Sequence, residues 1–192
     1  MKKLCITGCG RSGTVFITKF CRSVGLDITH ETSKGTFGSV GWNFAYRTTD
    51  FECRFHQVRD PLKVIRSTTW MTERNRRFIS DTVGYEIPSS PTILRAASFW
   101  YHWNVFAESN TDWTYKIEDF YFGSDVSKEW FLRIGVPYPS EFPKISTTTN
   151  RKPKGHSKQR LEKEVTWDDL ASFGGIKNRV YDLAIKYGYT YE

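Results

Sequence analysis

The segment that most restricts what this chain can fold into lies near its start. An apolar run, Leu4-Cys5-Ile6-Thr7, stops at Gly8 and passes through a glycine-rich turn into a helical stripe. Four apolar or β-branched residues halted by glycine read as a short buried strand. From Thr14 to Val24, the residues Val15, Phe16, Phe20 and Val24 recur at helical spacing, and Gly25 stands where helices favour glycine. A strand that turns tightly into a helix is the first half of a strand–helix–strand unit. Later segments repeat the alternation: Leu26–Thr29, Arg54–Val58 and Trp113–Ile117 read as strands. Asp60-Pro61 opens a helix running to about Glu73, with proline in the favoured first turn. Thr92–Ser109 reads as a long helix, apolar on most faces and so buried. Lys128–Ile134 and Asn178–Tyr187 read as further helices. Residues 30–50 read as a structured loop with one helix near 40–47, Thr72–Pro91 as surface loop, and Ser146–Lys163 as a polar, basic flap. The pattern predicts a three-layer α/β fold with a central parallel sheet flanked by helices. A length of 192 residues suits one domain spanning 1–192.

The turn itself, Gly8-Cys9-Gly10-Arg11-Ser12-Gly13-Thr14, has the chemistry of an anion cradle. Glycines let backbone N–H groups turn inward, and the helix N-terminus adds positive dipole. Gly8 and Gly13 have the G-x-x-x-x-G spacing of a nucleotide phosphate loop, a motif that continues with Lys and then Ser or Thr. Here Thr14 and Val15 follow instead, so the lysine and the magnesium-binding hydroxyl are both missing, and a cation stands earlier, at Arg11. Phosphoryl transfer leans heavily on metal and on that lysine. The altered loop therefore points away from a kinase.

A second anion site is expected at Arg59, at the carboxyl edge of the Arg54–Val58 strand, where open parallel sheets bind ligands. A guanidinium with the Ser67 hydroxyl, two helical turns on, suits a separate phosphate. The chain carries 28 Lys and Arg against 21 Asp and Glu, a net charge of +7, which fits an anionic partner without choosing one. Cys5, Cys9, Cys21 and Cys53 form no paired metal framework, and the four histidines are scattered, so no metal site is expected. The opening apolar stretch is too short for a signal peptide or a membrane span, which predicts a reduced, soluble, cytoplasmic protein with no membrane partner.

Together the two anion segments resemble the sulfotransferase superfamily that uses 3′-phosphoadenosine 5′-phosphosulfate. The family's first loop reads K/R-S-G-T, then one residue and an aromatic; here it is Arg11-Ser12-Gly13-Thr14-Val15-Phe16. Its second motif reads R-x-P with serine eight residues after the arginine, matched by Arg59-Asp60-Pro61 and Ser67. Tyr115-Lys116-Ile117-Glu118-Asp119-Phe120 is similar to the strand and turn written Y-E-D-L, and Asn150–Gly155 loosely matches the C-terminal flap over the 3′-phosphate.

The resemblance implies a P-loop NTPase-like fold and sulfuryl transfer to a hydroxyl or amine acceptor, small molecule or carbohydrate, by in-line displacement without metal. It implies that Gly10, Arg11, Ser12, Gly13, Thr14, Val15 and Phe16 hold the 5′-phosphosulfate end, with Arg11 stabilising the leaving group and Phe16 or a neighbouring aromatic near the adenine. Arg59, Ser67, Arg151 and Lys152 would hold the 3′-phosphate. The family places a histidine or glutamate after the second strand, which makes Glu31 the first choice of base, with His30 as partner or substitute. His56 and His102 read as satisfied core histidines and His156 as solvated; Arg74, Arg76 and Arg77 read as a solvated basic knot or an anionic acceptor site. Competing readings are a non-catalytic adenosine-bisphosphate-binding module, a P-loop kinase of a small metabolite, and a nucleic-acid binder, which no recognition motif supports.

Overall fold

The structure is a computed structural model that describes residues 3–45, 50–68, 71–145 and 164–191. Among the described residues five strands form one parallel sheet: β1 (Leu4–Thr7), β2 (Ile28–His30), β3 (Gly38–Val40), β4 (Cys53–Val58) and β5 (Trp113–Lys116), in the order β2-β3-β1-β4-β5. The central strand β1 pairs Leu4 with Gly38 on one side and with Cys53 on the other, and its last residue, Thr7, lies opposite His56. Among the described residues six α-helices accompany the sheet: α1 (Thr14–Ser23), α2 (Pro61–Ser67), α3 (Glu73–Val83), α4 (Thr92–Ser109), α5 (Asp125–Ile134) and α6 (Gly174–Lys186).

Strand side chains alternate between faces, and that alternation sorts the core into two layers. Leu4 and Ile6 of β1, Cys53 and Phe55 of β4 and Tyr115 of β5 join Ile17 and Phe20 of α1 and Trp130, Phe131 and Ile134 of α5. The opposite face is covered by α2, α3, α4 and α6 through Val64, Ile65, Ile79, Phe99, Trp100, Trp103, Val180 and Leu183. The expected three-layer α/β arrangement is therefore present. No helix of the described residues is long and apolar enough to cross a membrane.

Several boundaries differ from expectation. β3 lies inside the segment read as loop; three residues, Gly-Ser-Val, carry no alternation to betray a strand. The helix expected near 40–47 is a single 3-10 turn, Trp42–Phe44. α2 stops at Ser67 rather than near Glu73: Thr68 closes it, its backbone N–H bonding Ile65 O and its hydroxyl bonding Val64 O.

The polar stretch read as surface loop contains α3, and its end signals are local. Thr72 caps it by accepting from Asn75 N, Glu73 pairs with Arg76 and Arg77, and Gly84 ends it in the left-handed region. Only Phe78, Ile79 and Val83 reach the core, too narrow an apolar stripe to stand out against so many charges. Arg76 also pairs with Glu86, so the basic knot is largely neutralised within its own helix and the turn beyond.

Candidate functional site

β1 and β4 are neighbours whose onward connections leave in opposite directions. The chain after β1 runs through α1 to β2 and β3 on one side; the chain after β4 runs through α2, α3 and α4 to β5 on the other. In open parallel sheets such a switch point opens a crevice beyond the carboxyl ends of the strands, and ligands bind there. The glycine-rich loop leaves β1 and Arg59 leaves β4 at this crevice. Sequence spacing alone said nothing about their distance apart, yet Arg59 Nη1 donates to Arg11 O at 3.1 Å.

The loop is held from both faces of the sheet. Gln57, fully buried on β4, donates from Nε2 to Ser12 O at 2.7 Å and accepts at Oε1 from Tyr115 OH at 2.7 Å. From the other face, Asn104 of α4 accepts at Oδ1 from Cys9 N at 3.3 Å and bonds His56 Nε2 at 3.1 Å. Gly8 must be glycine for space: a Cβ there would sit 2.1 Å from Gln57 O. Gly13, at φ 97°, uses the left-handed freedom that glycine supplies and stands as the N-cap of α1. No side chain caps α1, and its first turn holds no acid. Ser12 is 1% exposed, and its hydroxyl has no hydrogen-bond partner among the described residues. Uncapped amides, a positive helix end and an orphaned buried hydroxyl together suit an oxyanion.

His30 ends β2 and Glu31 follows it. His30 Nε2 lies 3.1 Å from Thr14 Oγ1 and 3.9 Å from Glu31 Oε1, so the acid–base pair expected from sequence borders the start of α1. Burial lowers the His30 pKa below its usual value, Glu31 opposing that shift and Arg22 adding to it. Arg11 (φ 74°) and Glu31 (φ 56°) are the two non-glycine residues with positive φ among the described residues. Such conformations cost roughly 1–3 kcal/mol each and persist where surrounding structure over-determines them. Both flank the crevice.

The remaining expectations fare unevenly. Gly10 is buried in the loop and Val15 half-buried behind it. Phe16 packs against the α1–α5 core cluster. Ser67 directs its hydroxyl back into α2, to Lys63 O at 2.9 Å and Val64 O at 3.1 Å. Arg151, Lys152 and His156 lie outside the described residues.

His56 is indeed a satisfied core histidine, bonded to Asn104 and, through Nδ1, to Thr114 at 3.2 Å; burial lowers its pKa to about 4. His102 is not: it stacks on Tyr85, and its buried Nε2 has no partner among the described residues. The four cysteines are free and buried, and burial raises the Cys5 thiol to about 12, which makes them packing groups rather than nucleophiles.

Sequence reading missed Gln57 and Asn104. Each had one signal: an amide two residues after Phe55, on the same face of its strand, and an amide in the middle of an aromatic helix.

The turn after β4 is also supported from the end of the described chain. Asp60 caps α2 by accepting from Leu62 N and Lys63 N, and its own N–H donates to Glu118 Oε1 at 3.2 Å. Tyr189 OH donates to Glu118 Oε2 at 2.9 Å, and Trp100 Nε1 donates to Arg59 O at 3.2 Å. Glu118 thereby ties the turn after β4 to Tyr189. Comparisons with protein-family models, with curated proteins and with solved structures yield no match in any of the three. The chemistry of the crevice alone therefore bears on function.

Proposed function

We propose that this chain is a sulfotransferase that moves a sulfuryl group from 3′-phosphoadenosine 5′-phosphosulfate to a hydroxyl or amine acceptor. The observation that carries this reading is the contact from Arg59 to the carbonyl of Arg11, which brings two sequence-distant anion segments into one crevice. The loop lacks the lysine on which nucleoside-triphosphate chemistry relies. A second cation, carried on the end of a different strand, suits a donor with a second phosphate.

The residues have separable roles. The uncapped α1 terminus and the Ser12 hydroxyl hold the 5′-phosphosulfate end, and Arg59 binds the 3′-phosphate. Glu31 takes the acceptor's proton as the acceptor oxygen or nitrogen bonds to sulfur. The bond from sulfur to the bridging oxygen breaks, and its electron pair leaves with adenosine 3′,5′-bisphosphate. Arg11 and the helix end stabilise the charge that grows on that oxygen, where preorganised donors contribute most. His30, kept neutral by burial, holds the Thr14 hydroxyl at the start of α1.

The test is a thermal shift with adenosine 3′,5′-bisphosphate against AMP and against ATP with magnesium. At a hundredfold excess over Kd, a bound ligand stabilises by about 2.7 kcal/mol. For a domain of this size that raises Tm by roughly 5–10 °C. Glu31→Gln then keeps the shift while slowing transfer by about a hundred- to ten-thousand-fold. Stabilisation by ATP with magnesium alone refutes the donor.

A further inference from the structure

We propose that a second site, apart from the crevice, binds a small organic monoanion: one carboxylate or sulfate ester on an apolar body. The start of α4, the segment before it and the start of α6 border an open pocket of about 450 Å³, lined by Tyr85, Leu94, Ser98, Phe173, Gly175 and Arg179 among others. That size lies within the range of small-molecule sites, which combine apolar walls with a few convergent polar groups. Ser98 sits about 200° around α4 from Trp100, the residue that bonds Arg59 O, so the cavity opens on the other side of the helix.

Two independent observations assign the anion. Ser98 is 1% exposed, lines the cavity, and its hydroxyl has no hydrogen-bond partner among the described residues. A hydroxyl buried without a partner is destabilising, and an oxyanion accepting from it removes the deficit. Next to it, α6 begins at Gly174-Gly175 with Phe173 as N-cap, with no side-chain cap and no acid in its first turn. Lys177 and Arg179 follow. Arg179, five residues beyond Gly174, adds a cation to the lining of the same pocket.

The body of the ligand is set by the walls. Tyr85, 38% exposed, lies flat on the His102 ring with centroids 3.7 Å apart. The Arg179 guanidinium lies 6.0 Å from the centre of the Tyr101 ring. One guanidinium, one hydroxyl and one helix end match a single negative charge, and Tyr85, Leu94 and Phe173 match an aromatic or aliphatic group. The site stands whether or not the crevice carries out sulfuryl transfer.

Calorimetric titration of the full chain with phenylacetate and with phenyl sulfate, using neutral phenylacetamide as control, tests the proposal. Both anions bind saturably, and the amide binds at least about tenfold more weakly. Arg179→Gln, a change at an exposed side chain, weakens the anions about ten- to a hundredfold and leaves the amide unchanged. Ser98→Ala weakens the anions several-fold while the melting temperature of the free protein holds or rises, since the change removes an orphaned hydroxyl. Saturating adenosine 3′,5′-bisphosphate leaves these affinities unaltered. No saturable binding up to about 10 mM, equal binding of the amide, indifference to Arg179, or displacement by the bisphosphate overturns the assignment.

Discussion

Replacing Gln57 with leucine, a residue of similar size, removes a buried side chain that joins the loop directly to β4 beneath it. Gln57 is fully buried, and both of its polar atoms are engaged at 2.7 Å, one with Ser12 O and one with Tyr115 OH. Leucine leaves that carbonyl and that hydroxyl without their partner, in surroundings where Ser12 is 1% and Tyr115 3% exposed. Each orphaned group costs about 1–3 kcal/mol, so the expected loss is about 2–6 kcal/mol. Against a usual total of about 5–15 kcal/mol that is a large share.

The hydroxyl's part can be isolated. Adding Tyr115→Phe to Gln57→Leu deletes one orphan and recovers about 1–3 kcal/mol, although Tyr115→Phe alone is destabilising because it strands Gln57 Oε1. Urea unfolding followed by tryptophan fluorescence gives all four corners of the cycle. With the Ser12 peptide released, affinity for adenosine 3′,5′-bisphosphate falls by about tenfold even where the fold survives. Strict additivity of the two changes refutes the proposed chain from Tyr115 through Gln57 to the loop. Undiminished bisphosphate affinity in Gln57→Leu refutes the claim that this chain orders the site.

Three further outcomes are expected. The folded state holds His56 at about 4, below the usual 6.5, and so prefers it neutral; its contribution is complete above pH 6.5 and is lost as the pH falls towards 4. The loss reaches about 3 kcal/mol, and denaturation midpoints across that range fall less steeply in His56→Gln, which does not titrate. Gly8→Ala, whose new methyl would meet the Gln57 carbonyl, forces β1 and β4 apart and costs about 3 kcal/mol or more, read as a lowered urea midpoint or insoluble expression. Thr72→Ala removes the cap of α3 and lowers stability by about 1 kcal/mol, with hydrogen exchange rising first at Asn75 and its neighbours.

Much of the fold was legible because its signals are local. The β1 run halted by Gly8, the α1 stripe ended by Gly25 and the span Thr92–Ser109 of α4 each announce themselves within a few residues, and α4 has those bounds in the structure. β3 and α3 were missed for opposite reasons. Gly38-Ser39-Val40 becomes a strand only because β1 and β2 bond it on both sides. The end signals of α3, by contrast, were present in Thr72, Glu73 and Gly84 but were outweighed by its polarity. Within the helix read as buried, Phe99, Trp100 and Trp103 are fully buried and Tyr101 is half-buried.

The amino-acid order by itself determined that a strand would turn through glycine into a helix, and that Arg59 would stand at the end of another strand. Those facts follow from periodicity, steric freedom and the chemistry of single residues. Whether the two would meet was decided by tertiary structure alone. Strand order places β1 beside β4, and buried Gln57 and Asn104, 45 and 95 residues from their loop partners Ser12 and Cys9, hold the turn in place. The positive φ of Arg11 and Glu31 belongs to the same level, because a strained backbone persists only where contacts from elsewhere in the chain maintain it.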